Sequence, residues 1–190
     1  MLKDKAELRS AMKRLRADAL DRLERNRKIF EKFFTLDEVA HGQNFFMYAS
    51  FGDEVNTWEI MNELFARGKD IFLPRVEGDQ IVFSQYTGQE LHRSSYGIFE
   101  PIEPKSDKPP DVIVLPLLAA DRNLYRLGYG GGYYDRYLAQ HRGGLKIGIA
   151  FDFQLVENVF AQTHDIAVDV LVTDRTVMFA DKRRNYGKIY

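Results

Sequence analysis

The stretch Asp111-Val-Ile-Val-Leu-Pro116, with the run Arg126-Leu-Gly-Tyr-Gly-Gly-Gly-Tyr-Tyr-Asp135 about ten residues further on, decides the fold. Val112 to Leu115 are apolar without alternation, the pattern of a strand covered on both faces. The glycines then lead into a helix expected from about Tyr133 to His141 and ended by Gly143-Gly144. Outward from this pair the alternation continues. Asn44–Ser50, Asp70–Pro74, Ile81–Gln85, Lys146–Ala150 and Val168–Thr173 read as strands, and Val177–Phe179 as a last short one. After a loop at 51–57, Asn56 or Thr57 can cap a helix in which Trp58, Met61, Leu64 and Phe65 recur at helical spacing, and Gly68 stops it. Residues 3–33 read as helix, with Asp21 a point where it can divide. Leu8, Met12, Leu15, Ala19 and Leu23 share one face of it, and Lys5, Arg9, Lys13 and Arg16 form a neighbouring stripe. The Pro-, Gly- and charge-rich stretch 96–110 reads as a surface connection. The expected class is therefore α/β, a single domain over 1–190 built on a mostly parallel open sheet flanked by helices. A basic helical segment is expected at 1–35 and a flexible tail at 181–190. In such sheets ligands gather at the carboxyl ends of the strands, where the glycine loop is expected.

Composition narrows the chemistry. With 45% hydrophobic and 29% charged residues, the chain has the make-up of a globular domain. The absence of cysteine excludes disulfides, thiolate-bound zinc and a cysteine nucleophile. No apolar run is long enough to span a bilayer and the N-terminus has no signal-like stretch, so the expectation is a cytoplasmic protein without a membrane partner. The net charge of −1 hides an asymmetry: residues 1–32 hold eleven Lys or Arg against six Asp or Glu. That surplus can be a solvated helix face or can meet an anionic ligand. The basic segment lacks interleaved aromatic residues, which argues against a nucleic-acid partner.

Gly128, Gly130, Gly131 and Gly132 stand directly before a helix start. Glycines let backbone amides approach a phosphate, and the helix N-terminus adds unpaired N–H groups and partial positive charge. Arg126 is a possible charge partner. The run fits neither the phosphate motif ending in Gly-Lys-Ser/Thr nor the dinucleotide motif, whose last glycine would be Tyr133. Asp135 falls in the first helical turn, where a carboxylate can cap the helix or hold Mg²⁺ beside phosphates. His164-Asp-Ile-Ala-Val-Asp169 offers a second carboxylate, Asp169, at a strand entrance, where a turn-forming role is the alternative.

The segment Arg126–Leu138 resembles the signature of the 5-formyltetrahydrofolate cyclo-ligase family. In the same order, Lys5-Ala-Glu-Leu-Arg9, Tyr48-Ala-Ser50, Glu54-Val-Asn-Thr57, Gly97-Ile-Phe-Glu-Pro101 and His164–Asp169 are similar to other elements of that family. The resemblance implies a Rossmann-like sheet of the sugar-phosphate isomerase and CoA-transferase type. It also implies an ATP- and Mg²⁺-dependent conversion of 5-formyltetrahydrofolate to 5,10-methenyltetrahydrofolate, ADP and phosphate. On matching positions, Lys5, Arg9 and the loop Arg126, Leu127, Gly128, Tyr129, Gly130, Gly131, Gly132, Tyr133 and Tyr134 would hold ATP. Ala49, Glu54, Tyr129, Gly130, Gly131, Gly132 and Tyr133 would meet the folate, with Glu54 as its polar anchor. Asp135 and Asp169 would hold Mg²⁺, and Arg126, Tyr133 and Asp135 would serve the chemistry. The partners implied are these small molecules alone, with the enzyme a monomer. Two departures stand beside the match. The family's Pro-Gly-x-Ala-Phe-Asp is here Pro116-Leu-Leu-Ala-Ala-Asp121, and its glycine shortly afterwards is replaced within Asn123-Leu-Tyr125. They leave open a paralogue of the same fold acting on another metabolite; a non-catalytic nucleotide- or folate-binding regulator is the other alternative.

Overall fold

The structure, a computed structural model, describes residues 3–94 and 97–180; the expected tail at 181–190 lies outside the described residues. The chain opens with three helices, α1 (Lys5–Ala17), α2 (Arg22–Phe33) and α3 (Asp37–His41). Strand β1 (Asn44–Phe46), helix α4 (Thr57–Ala66) and the hairpin β2 (Asp70–Glu77) and β3 (Gln80–Tyr86) follow. Two-residue strands β4 (His92–Arg93) and β5 (Phe99–Glu100) lie within the connection to β6 (Val112–Leu115). The hairpin β7 (Ala119–Ala120) and β8 (Arg126–Leu127) presents the glycine loop to α5 (Tyr133–Gln140). The chain then runs through β9 (Leu145–Ala150), a 3-10 turn at Asp152–Gln154, β10 (Val170–Thr173) and β11 (Val177–Phe179).

The main sheet has the order β11-β10-β9-β6-β1-β2-β3, parallel from β10 to β2 with an antiparallel strand at each edge. Its pleat sends alternate residues to two cores. Phe45, Met47, Val112, Val114, Ile147 and Val170 face α2 and α4, whose Ile29, Phe33, Met61 and Leu64 bury against them. Phe46, Phe72, Phe83, Ile113, Leu115 and Leu171 face the other way, where Leu138 of α5 joins them. The continuous apolar run at 112–115 is thus explained by two covered faces.

From β1 the chain crosses to β2 on one side, whereas β6 leads to β9 and β10 on the other. The strand order therefore reverses between β1 and β6. Their carboxyl ends form the crevice that such a switch point opens.

The N-terminal helix divides as its sequence allows. Asp4 caps α1, its Oδ1 accepting from Ala6 and Glu7 N–H at 2.8 and 2.9 Å. Asp21 takes a left-handed φ of 57°, and the chain turns into α2. The expected apolar face needs correction. Leu8 and Met12 are buried against Leu118, Ala119, Leu127 and Val159, but Leu15 is 48% and Leu23 80% exposed. The inward face of α1 turns toward the basic stripe instead, and Arg16 is the side chain it buries in its last turn. The strand expected over 44–50 pairs only through Phe46, although Met47, Tyr48 and Ala49 stay buried as they lead into the crevice. Asn56, not Thr57, caps α4: its side chain accepts from Trp58 N–H, while Thr57 Oγ1 donates to the Tyr48 carbonyl at 2.6 Å.

Candidate active site

Three elements meet over the crevice. The β7–β8 hairpin is shaped by Asp121, whose Oδ1 accepts from Asn123 and Tyr125 N–H at 2.9 and 3.1 Å. Leu124, inside the Asn123–Tyr125 stretch that replaces the family-type glycine, adopts φ 65°. A leucine therefore makes a left-handed turn here, at a cost of about 1–2 kcal/mol offset by burying its side chain. Beyond β8, Gly130 at φ 109° and Gly132 at φ 68° bend the loop into the start of α5. A Cβ on Gly130 would also come within 3.4 Å of the Arg9 guanidinium, so α1 lies close over the loop. No side chain caps α5, and Gly132 is its N-cap, which leaves the first-turn amides facing the loop.

The basic stripe of α1 faces this loop along its length. Lys5 Nζ pairs with Asp165 at 2.5 Å. Arg9 Nε donates to the Gly128 carbonyl at 2.9 Å. Lys13 Nζ lies 5.7 Å from the centre of the Tyr129 ring. Arg16 donates to the Tyr129 hydroxyl at 2.7 Å, and that hydroxyl donates to Glu54 Oε1 at 2.6 Å. The sequence brought forward Lys5 and Arg9; Lys13 and Arg16 were visible only as members of the same stripe. Helical spacing of four, four and three residues is the signal that joins them.

Glu54 follows β1 and is 8% exposed; its Oε2 accepts from Phe51 N–H at 3.1 Å. Burial pushes its carboxyl above the ordinary glutamate range, against the opposing pull of the Tyr129 and Phe51 hydrogen bonds and the Arg16 charge. Burial likewise raises the hydroxyls of Tyr48, Tyr129 and Tyr134, and the Glu54 charge adds to each. Ala49 is buried beside Tyr48 on the strand exit. A cleft of about 300 Å³ opens here, lined by Ser50, Phe51, Glu54, Asn56, Trp58 and residues of α2. A larger cleft of about 480 Å³ lies at the other side of α5, over Phe46, Phe83 and Tyr137. Size does not select between them. The smaller one holds the buried carboxylate and adjoins the glycine loop.

Arg126 and Asp135 are brought together. Arg126 is 7% exposed and donates to Asp135 Oδ1 at 3.0 Å and to the Ile166 carbonyl. The Ile166 N–H also reaches Asp135 Oδ1, at 3.2 Å. Asp135 thus ties the start of α5 to the 164–169 stretch and does not cap its own helix. In that stretch the Asp165 carboxyl is pushed up by burial, yet the Lys5 and Gln162 hydrogen bonds outweigh this and bring it below the ordinary range. Tyr133 and Tyr134 pack at the edge of the second core. Asp169 is not brought to Asp135. It precedes β10 at the amino end of the sheet, where its Oδ2 takes both nitrogens of Lys146, N–H at 2.9 Å and Nζ at 2.7 Å. Among the described residues no group of three or more His, Asp or Glu is placed to hold a metal. Asp135 alone still fits Mg²⁺ arriving with a nucleotide, because that ion takes most of its ligands from phosphate and water.

A sequence model of the 5-formyltetrahydrofolate cyclo-ligase family matches residues 1–174. The chain belongs to that family. The 5-formyltetrahydrofolate cyclo-ligase of Haemophilus influenzae is 28% identical over 179 residues, covering 87% of this chain and 96% of that protein. The Escherichia coli protein of the same name is 31% identical over 156 residues, 77% of this chain and 86% of its own. The solved structure of Aquifex aeolicus 5,10-methenyltetrahydrofolate synthetase superposes with a TM-score of 0.81 at 33% identity over 93% of each chain. That from Mycoplasma pneumoniae gives 0.72 at 25% identity, over 90% of this chain and 99% of its own. The mostly parallel α/β sheet expected from the sequence is the fold of this family. Among the described residues no helix is long and apolar enough to cross a membrane.

Proposed function

We propose that this chain catalyses the ATP-dependent cyclisation of 5-formyltetrahydrofolate to 5,10-methenyltetrahydrofolate, acting on small molecules as a cytoplasmic monomer. The reading rests on one observation above all: the Arg16–Tyr129–Glu54 chain links the basic stripe, the glycine loop and a buried carboxylate in one crevice. The formyl group is an amide whose oxygen leaves poorly. Transfer of the γ-phosphoryl group to that oxygen makes it a leaving group. The neighbouring arylamine nitrogen then attacks the activated carbon, loses its proton and closes the ring as phosphate departs. Positioning and charge stabilisation are the enzyme's tasks, and no covalent nucleophile is required.

In this reading Lys5, Arg9 and the loop from Arg126 to Tyr134 take the phosphates. Glu54 receives the N–H groups of the pterin, beside Ala49. Tyr133 borders the formyl-bearing ring, where the loop glycines let backbone N–H groups approach the transferred phosphoryl. When bound, Mg²⁺ would offset phosphate charge, with Asp135, in the first helical turn after the loop, as its carboxylate and Arg126 orienting it. Asp169, paired with Lys146 at the amino end of the sheet, lies at the opposite end from the loop. Purified protein mixed with 5-formyltetrahydrofolate, ATP and Mg²⁺ is expected to develop the absorbance of the methenyl product, only with ATP present, and Asp135→Ala to abolish it. No rise from folded protein that binds ATP overturns the reading.

A further inference from the structure

Arg16 belongs to an outer helix, yet it is 6% exposed, and its Nε is buried without a hydrogen-bond partner. A buried donor left unpaired costs free energy that a ligand acceptor can recover. The same guanidinium holds the Tyr129 hydroxyl at 2.7 Å, and the phenol in turn fills Oε1 of Glu54 at 2.6 Å. The two ends of this chain are buried, while Tyr129 between them is 39% exposed. Tyr129 stands between Gly128 and Gly130, the latter at φ 109°, so the backbone beside it can turn at little steric cost. The phenol is the member of the chain that can leave.

We propose that Tyr129 is a latch seated on Glu54 which the folate displaces, and that Arg16 is the positioning residue that seats it and then takes the pterin carbonyl. This rests on the folate reading above and deepens it. A 2-amino-4-oxopyrimidine edge offers two adjacent N–H donors and a carbonyl acceptor. The Glu54 carboxylate complements the donors, and the free Arg16 Nε–H complements the acceptor. Because Tyr129 is part of the glycine loop, displacing it also shifts the segment that meets the nucleotide. Binding at one substrate site therefore biases the other, and the bias is reciprocal.

Trp58, the only tryptophan of the chain, lines the same cleft as Glu54, so its fluorescence reports occupancy. The experiment titrates 5-formyltetrahydrofolate without nucleotide into wild-type, Tyr129→Phe and Arg16→Lys protein, with calorimetry as the second readout. Removal of the latch hydroxyl is expected to tighten binding about five- to tenfold and to lower KM for the folate more than KM for ATP. Arg16→Lys replaces the fixed fork of Nε and the terminal nitrogens by a single nitrogen and is expected to weaken binding at least about tenfold, at an unchanged melting temperature. Equal or weaker binding by folded Tyr129→Phe overturns the latch. Wild-type affinity in Arg16→Lys overturns the role given to Arg16. If wild-type protein binds no folate, the folate reading falls with the latch.

Discussion

Carboxylates at the two ends of the same sheet behave differently. At the amino end, Asp111 Oδ2 accepts from Gln43 and Asn44 N–H, each at 2.8 Å, and Asp169 Oδ2 is held by Lys146. These acids join the entrance of one strand to that of the next, β6 to β1 and β10 to β9. Each takes at least one main-chain N–H that cannot exchange, and Asp169 adds the Lys146 ammonium. At the carboxyl end, Glu54 has one loop N–H and one phenol, in surroundings dry enough to raise its carboxyl. A partner that can leave, together with incomplete compensation for burial, marks a binding group; a carboxylate tied to the backbone of the neighbouring strand's entrance marks a staple.

The largest test of this contrast is Glu54→Gln. Loss of a charged acceptor for two N–H donors is expected to lower kcat/KM for the folate by about ten- to a hundredfold, measured in steady state. The same variant tests the pH side. Because the fold raises the Glu54 carboxyl above 4.5, the folded protein holds a proton that the unfolded chain has released. That contribution to stability is complete below the unfolded value and is lost as the pH rises through the folded one. Glutamine carries no such proton, so urea midpoints should shift in favour of the variant as the pH rises above 4.5.

Asp169 comes next. As a staple, Asp169→Ala is expected to cost about 1–3 kcal/mol of unfolding free energy while the Mg²⁺ concentration for half-maximal activity stays put. A large change in Mg²⁺ dependence with normal stability would instead assign Asp169 to the metal. Leu124 gives a smaller effect with an unusual order. At φ 65°, Leu124→Ala loses packing and keeps the strain, whereas Leu124→Gly loses packing and relieves it. Glycine is expected to be the more stable of the two by about 1 kcal/mol in chemical denaturation, the reverse of the order at an ordinary position. Least of all, Leu23→Lys should change stability by under about 0.5 kcal/mol, since a side chain 80% exposed buries nothing.

Much of the fold was legible because its signals are local. The buried runs at 112–115 and 145–150, the glycines before α5 and the stop at Gly68 each act within a few residues. The short hairpins β4–β5 and β7–β8 carried no such signal, since two-residue strands have no periodicity to read. Leu15 and Leu23 misled for a related reason. Apolar spacing says which residues share a helix face, but the neighbour decides which face turns inward.

The sequence by itself determined the α/β class, the glycine loop and the order of the elements that carry the family likeness, because periodicity, turn chemistry and motif spacing are properties of neighbouring residues. Only the tertiary structure decided that Arg16 meets Glu54 through Tyr129, that Asp135 takes Arg126, and that Asp169 faces Lys146 at the far end of the sheet. Those pairings join residues from 9 to 113 positions apart. They follow from strand order and from the way α1 packs on a hairpin. Burial then sets their chemistry, since the worth of a charge depends on which other groups have taken the place of water around it.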